Sequence, residues 1–214
     1  MSLRIVKDFY ERQEVVEVPV VEEFFPEIFK VSTCLYVGIR PEGWGGCEHP
    51  NSLHQALLKL QCVDGVELDP GYVRRLRSGS APIWLNYLFE KDITNIQTRI
   101  DILPVKFELV VWWHGPEHSK DERAAKIGLA NCEALALDHV LIGMPWSPRG
   151  TQNTTDPGME GEKPNPHEAH GWWPTPQDLS DLGWDTVGLN CVEDKDLEKE
   201  GAMYGHMLAT KNTR

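Results

Sequence analysis

The 214-residue sequence contains no apolar run near the roughly 18 residues of a membrane-spanning helix, and its charged N-terminus lacks the apolar core of a signal peptide. Positive charge is also scarce: no run of Lys and Arg exceeds two residues, and the formal net charge is -12 at pH 7. Proteins that bind nucleic acids neutralise phosphates with clustered basic residues. We therefore expect neither a membrane nor a nucleic acid as partner.

Paired cysteines are missing as well. The five cysteines are widely spread and include no C-x-x-C pair, which fits neither a disulfide scaffold nor a zinc ribbon. A reducing compartment suits such thiols, so the sequence predicts a cytoplasmic protein.

What the chain does contain is an alternation of apolar strand-like runs and helical segments. The alternation predicts a mostly parallel α/β sheet with helices on both faces, whose last strand is antiparallel. Residues 81–91 are predicted to be helical, and 119–137 form a strong predicted helix with Ser119 as its N-cap. The predicted strands are residues 31–39, 63–69, 94–103, 107–113, 138–146, 185–192 and 202–212.

Two segments fall outside this pattern. Residues 1–30 are acidic and apolar by turns, and we interpret them as a lead-in that packs on the main domain, residues 31–214. Residues 147–170 have no periodicity and are rich in Gly, Pro and Asn, which is typical of a functional or disordered segment. We predict a long loop or lid there.

Chemistry is expected where the strands end, because open parallel sheets bind ligands at the carboxyl ends of their strands. Gly38 follows the first predicted strand and either forms a plain turn or lets the backbone approach a ligand. Glu67 can accept hydrogen bonds from vicinal ribose hydroxyls, or it is a solvated carboxylate. Asp101 can accept from an adenine amino group, or it is a cap or turn residue.

The stretch "HGPEH" raises a different possibility, because H-x-x-E-H is the spacing of an inverted zinc-protease motif. That motif needs His114, Glu117 and His118 on one helical turn. The Gly-Pro pair between them disfavours a helix by about 1 kcal/mol and about 3 kcal/mol respectively. We therefore predict no metal site and interpret His114 as a strand-end residue that faces a ligand. A His that shapes the turn through backbone hydrogen bonds is the alternative.

Longer motifs resemble the class I S-adenosylmethionine-dependent methyltransferases. They are "CLYVGIRPEG", "VDGVELDPGYVRRL", "FELVVWWHGPEHSKDE", "CEALALDHVLIGMPW", "HGWWPTPQDLSDLGWDTVGLN" and "GHMLATKN". The resemblance covers about residues 31–211. It implies a Rossmann-like fold with a seven-stranded sheet, S-adenosylmethionine as cofactor, and methyl transfer to a small-molecule acceptor. It leaves a homo-oligomer open.

The resemblance also implies roles for individual residues. Gly38 takes the tight turn under the methionine part of the cofactor, and Glu67 takes the ribose hydroxyls. Asp101 contacts adenine. Trp113 and His114 line the floor between cofactor and acceptor, with His114 as the first candidate for a base.

Some positions depart from the family pattern. Tyr36 stands where the family usually has an acidic residue, and Arg40 replaces its second glycine. Arg40 either pairs with a carboxylate of the cofactor or acceptor, or it blocks the pocket. His167 and His170 are further candidate bases.

Two alternative functions remain open. One is a non-catalytic domain that keeps the fold without its usual cofactor binding, and the other is a metal-dependent hydrolase. The Pro-Pro-aromatic tetrapeptide of amino-methylating nucleic-acid enzymes is absent after "FELVVWW", which further disfavours DNA and RNA as substrates.

Overall fold

The computed structural model describes residues 3–6, 17–39, 62–80, 85–102, 105–146, 171–190 and 205–214. Eight strands in these ranges form one sheet: β1 (Leu3–Val6), β2 (Thr33–Val37), β3 (Cys62–Glu67), β4 (Leu85–Glu90), β5 (Phe107–Trp113), β6 (Ala136–Trp146), β7 (Asp185–Asn190) and β8 (Gly205–Asn212). Their order is β1-β7-β8-β6-β5-β2-β3-β4. Only β8 among them runs antiparallel to its neighbours, β6 and β7. The predicted Rossmann-like, mostly parallel sheet with an antiparallel last strand is confirmed, and β1 adds an eighth strand beside β7.

Helices cover both faces of the sheet. They are α1 (Glu17–Phe24), α2 (Pro70–Arg75), α3 (Ile96–Ile102), α4 (Glu122–Leu135) and α5 (Pro176–Asp181), with 3-10 turns at Pro26–Lys30 and Pro116–His118. None of the helices in the described ranges has the length and apolar character needed to cross a membrane.

Two cores form because successive residues of a strand point to opposite faces of the sheet. Leu35 and Val37 of β2 belong to the first core, under α3, α4 and α5. Cys34 and Tyr36 belong to the second core, under α1 and the turn at Pro26–Lys30. The central strands are therefore apolar on both faces, as expected for buried parallel strands.

The predicted helix at residues 81–91 is wrong, because strand β4 occupies its described part. Leu85 and Leu88 have the i, i+3 spacing of a helix, and both pack against the second core. The pairing of β3 with β4 slips at Asn86, which is the extra residue of a β-bulge. The bulge turns residues three apart toward one face and so imitates a helical pattern.

The predicted strand at residues 94–103 is also wrong, because most of it forms α3. Its β-branched residues suggested a strand, yet Thr98 and Ile102 are buried while Ile96 and Ile100 are exposed, which is the one-sided burial of a helix. Asn95 starts the helix by accepting a hydrogen bond from the Gln97 amide at 2.9 Å.

The N-cap of α4 is Asp121, and the prediction of Ser119 is wrong. The Asp121 carboxylate accepts from the Ala124 amide at 2.8 Å, whereas Ser119 has extended backbone at the end of the preceding 3-10 turn. The predictions for Arg40 and for the lid at 147–170, with its His167 and His170, lie outside the described residues. The domain boundary after residue 30 stays a prediction.

Candidate cofactor and acceptor site

Four neighbouring parallel strands, in the order β4-β3-β2-β5, end at one edge of the sheet. Asp92, Glu67, Gly38 and His114 follow these strands or end them, in that order across the sheet. Adjacent strands lie about 4.8 Å apart, so the row spans about 14 Å. An elongated ligand lying along this edge would meet all four positions.

Gly38 forms the tight turn after β2. Its φ of 77° lies in the left-handed region, and its amide donates to the Val66 carbonyl at 2.8 Å. A Cβ added at Gly38 would meet no atom of the described residues within 4 Å. Among these residues, the backbone is open on the side where a side chain would stand, which fits close approach by a ligand.

Glu67 ends β3 with its side chain fixed. Only 7% of the residue is exposed, and its Oε1 accepts from the Asp69 amide at 2.7 Å. Asp69 in turn caps α2 by accepting from the amides of Gly71 and Tyr72, at 2.6 and 3.0 Å. The capped helix thus holds the chain that orients the Glu67 carboxylate at the strand edge.

Asp101 is not at a strand end, which removes the basis for placing it against adenine. It lies on α3, where its carboxylate pairs with the Lys91 ammonium at 2.6 Å and accepts from the Gln97 amide group at 3.2 Å. The hydrogen bond from Lys91 is the main cause that lowers the pKa of Asp101. The surface ion pair accounts for this aspartate without a ligand.

Asp92 occupies the position that the sequence prediction gave to Asp101. It lies two residues beyond Glu90, which pairs in register with Glu67 on β3. Its Oδ1 accepts from the amide and hydroxyl of Thr94, at 2.8 and 2.6 Å. Its Oδ2 accepts no hydrogen bond from the described residues. The D-x-T pattern typical of a side-chain-stabilised turn was the sequence signal for this strand end.

A buried amide on α4 holds the turn that carries Asp92. Asn131 is 1% exposed, and its Nδ2 donates to the carbonyls of Ile93 and Asn95 at 2.7 and 2.9 Å. Both donor hydrogens of the amide are used, so the turn between β4 and α3 is fixed to the helix layer. No sequence signal marked Asn131, since its partners are more than 30 residues away.

His114 follows β5 with unusual backbone geometry. Among the described non-glycine residues, His114 is the one with a positive φ, which is 47°. Its amide donates to the Gly143 carbonyl at 2.8 Å. The side chain is 41% exposed, and its ring stands edge-on to Trp113 with centroids 5.8 Å apart. Non-glycine residues held at positive φ concentrate at functional sites.

Glu117 is buried beneath His114. It is 2% exposed, and its Oε1 lies 3.6 Å from Nδ1 of His114 and 3.9 Å from Nε2 of His118. Burial by itself raises the pKa of a carboxyl group, but the two adjacent imidazoles outweigh burial and lower the pKa of Glu117. These contacts favour the carboxylate form of Glu117 beneath the exposed imidazole.

The H-x-x-E-H stretch does not form the helical turn of a zinc protease, because residues Pro116–His118 adopt a 3-10 turn. In the ranges that the structure describes, no group of three or more His, Cys, Asp or Glu side chains is arranged to hold a metal ion.

Trp113 and Tyr36 are core residues. Trp113 is 3% exposed, and its ring packs so closely over Gly143 that a Cβ there would lie 2.3 Å from it. Tyr36 is 1% exposed in the same core. The role of Trp113 in lining the ligand site stays a prediction.

No family model and no curated protein matches the sequence. Solved structures do match. The chain is similar to the N-methyltransferase NodS of Bradyrhizobium japonicum WM9 in complex with S-adenosyl-L-homocysteine (TM-score 0.54, 11% identity, 95% of this chain and 90% of that chain). A cyclopropane-fatty-acyl-phospholipid synthase-like protein of Lactobacillus casei ATCC 334 gives a TM-score of 0.53 at 16% identity, over 91% and 88%. An O-methyltransferase family protein of Burkholderia thailandensis gives 0.51 at 15% identity, over 91% and 55%.

The resemblance noted in the sequence motifs therefore extends to three-dimensional structure: the chain has the fold of the class I S-adenosylmethionine-dependent methyltransferases.

Proposed function

We propose that the protein transfers a methyl group from S-adenosylmethionine to a small-molecule acceptor. The observation that carries the proposal is the row of Gly38, Glu67, Asp92 and His114 on four adjacent strand ends of a methyltransferase fold. When bound, S-adenosylmethionine supplies an electrophilic methyl group on a positively charged sulfur.

The residues in this row suit the parts of that cofactor. The open backbone at Gly38 can approach the methionine part. The Glu67 carboxylate is an acceptor for the two ribose hydroxyls, and the Asp92 carboxylate is an acceptor for the adenine amino group. Asp92 replaces Asp101 in this proposal, because Asp101 lies on the surface of α3.

His114 is the proposed base on the acceptor side. It takes the acceptor's proton as the acceptor atom gains the methyl group and the positively charged sulfur becomes a neutral thioether. An acceptor without such a proton needs positioning alone, which by itself lowers the barrier substantially. The 41% exposure of the imidazole leaves it accessible to an acceptor.

Calorimetric titration with S-adenosylhomocysteine tests the cofactor part of the proposal. Glu67→Ala should weaken binding by about 1.5–3 kcal/mol, or about 10- to 150-fold in Kd. Glu133→Ala is the matched control, because Glu133 pairs with Lys211 at 2.8 Å where α4 approaches the opposite edge of the sheet. Its affinity should equal that of the wild type.

A wild-type protein that binds no S-adenosylhomocysteine would instead support the non-catalytic alternative. Equal affinities for Glu67→Ala and the wild type, with both proteins folded, would remove Glu67 from the cofactor site.

A further inference from the structure

We propose that Glu117 is a positioning residue that holds the His114 imidazole in one tautomer, with hydrogen on Nδ1 and the lone pair of Nε2 directed toward the acceptor. This inference rests on the proposed function, in which His114 receives a proton. It adds a second residue beneath the base, one that touches neither cofactor nor acceptor.

The first support is the position of the carboxylate. Oε1 of Glu117 lies 3.6 Å from Nδ1 of His114, on the side of the ring opposite Nε2. That distance exceeds a normal hydrogen bond, but such contacts are often long in unliganded enzymes and shorten when the ligand binds. A carboxylate accepts hydrogen bonds only, so closing the contact requires the hydrogen of the neutral imidazole on Nδ1.

The second support is the burial of Glu117. Its carboxylate is 2% exposed, and Oε2 accepts no hydrogen bond within the described part of the chain. A buried carboxylate is costly unless positive or donor groups compensate it. The titratable groups that act on it from the described residues are the imidazoles of His114 and His118. The molecule thus keeps a costly buried carboxylate that is compensated by a backbone amide and two imidazole rings, and one of these rings is exposed at the carboxyl ends of the strands.

The third support is the rigidity of the turn. The Glu117 carbonyl accepts from the amides of Gly171 and Trp172, at 2.9 and 3.3 Å. Gly171 packs so closely that an added Cβ would lie 2.2 Å from the Ser119 carbonyl oxygen. The His114 ring also stands edge-on to Trp113, with ring centroids 5.8 Å apart. A fixed backbone allows one carboxylate to select one tautomer.

The consequence for the reaction is twofold. The tautomer with hydrogen on Nδ1 leaves Nε2 unprotonated, so Nε2 can take a proton from the molecule that receives the methyl group. Once Nε2 is protonated, the Glu117 carboxylate stabilises the resulting imidazolium by its charge. The same relation between a buried carboxylate and a catalytic imidazole operates in serine proteases.

Nitrogen-15 NMR of the imidazoles tests the proposal without a methyl acceptor in the sample. In the wild type at neutral pH, the His114 resonances should show hydrogen on Nδ1, with assignment from a His114→Asn variant. Glu117→Met removes the carboxylate that accepts the hydrogen bond and keeps a similar side-chain length. His114 should then change to the tautomer with hydrogen on Nε2. Glu122→Met is the control, because that exposed glutamate pairs with Lys126 at 2.6 Å and should leave His114 unchanged.

Two results would overturn the proposal: hydrogen on Nε2 in the wild type, or an unchanged Nδ1 tautomer in Glu117→Met. The wild-type measurement decides the first point even if the Met variant fails to fold. Binding of S-adenosylhomocysteine is a separate readout, since Glu117→Met should keep its affinity within about twofold of the wild type. A failure of the cofactor proposal would appear there and leave the tautomer result intact.

Discussion

Gly38 provides a sharp test of where the cofactor lies, because a matched glycine exists elsewhere in the chain. Gly38 and Gly79 both have positive φ, 77° and 109°, and a Cβ added at either would meet no atom of the described residues within 4 Å. Gly38 follows β2 at the candidate site, whereas Gly79 lies in the helical turn Leu76–Ser80 after α2. Substituting Ala at each position imposes a similar backbone strain, but only the first places a methyl group where the cofactor is proposed to bind.

The magnitudes follow from that geometry. An L-residue in the left-handed region costs about 1–2 kcal/mol, and the stiffer unfolded chain offsets about 0.4–1 kcal/mol of this. Each Ala variant should therefore lose about 1 kcal/mol of unfolding free energy, or about 2–4 °C in Tm. A methyl group forced into a filled interface costs about 1–3 kcal/mol, so Gly38→Ala should bind S-adenosylhomocysteine about 5- to 150-fold more weakly.

Thermal unfolding and calorimetric titration of the two variants separate these effects. We expect similar losses of Tm in both and a loss of affinity in Gly38→Ala alone. Wild-type affinity in a folded Gly38→Ala would show that the ligand does not approach this turn. An equal loss of affinity in Gly79→Ala would show that the weakened binding reflects general destabilisation.

Three further predictions concern the same edge of the sheet. Asp92→Asn should weaken S-adenosylhomocysteine binding about tenfold or more by calorimetry, because an amide nitrogen replaces a carboxylate oxygen that accepts a hydrogen bond. Asp101→Asn should leave the affinity unchanged. A loss of affinity in Asp101→Asn alone would restore Asp101 to the site. Asn131→Ala should lower the unfolding free energy in urea by about 2–4 kcal/mol, since the buried Ile93 carbonyl and the partly buried Asn95 carbonyl lose their donor, and a loss below about 1 kcal/mol would contradict this. His114→Gly should be about 1 kcal/mol more stable to urea than His114→Ala, after the greater freedom of its unfolded chain is subtracted, and a less stable Gly variant would contradict the positive φ.

The central sheet could be predicted from the sequence because its strands are buried on both faces. Runs such as residues 109–113 and 140–146 are apolar throughout, and such runs between turn residues indicate buried parallel strands. The strand-end positions of Gly38 and Glu67 follow from the same pattern, since each residue follows or ends a strand that the pattern identified correctly.

The outermost strand, β4, was harder to predict for a physical reason. Strand β4 has a neighbour on one side only within the described sheet, and half of its residues are exposed, so its apolar pattern is weak. The bulge at Asn86 then gave that pattern a helical spacing. Because this pattern predicts a helix at residues 81–91, the next segment is predicted to be the strand, which puts Asp101 at the strand end that Asp92 occupies.

Positioning residues depend on contacts that no local pattern encodes. Asn131 looks like an ordinary helix residue in the sequence, and its function of holding the Ile93 and Asn95 carbonyls appears only when α4 packs beside α3. Glu117 was recognised in the sequence as part of a spacing motif. Its burial beneath His114 depends on the fold of the whole turn.

The H-x-x-E-H spacing has a structural origin in this protein. A Cβ at Gly115 would lie 2.3 Å from the indole nitrogen of Trp112, so the buried tryptophan requires a glycine there. Pro116 then opens the 3-10 turn, for which its fixed φ is suited. The turn carries Glu117 back beneath His114 instead of along a helix face. The residues that exclude the helical zinc motif are therefore the ones that bring a carboxylate under the imidazole.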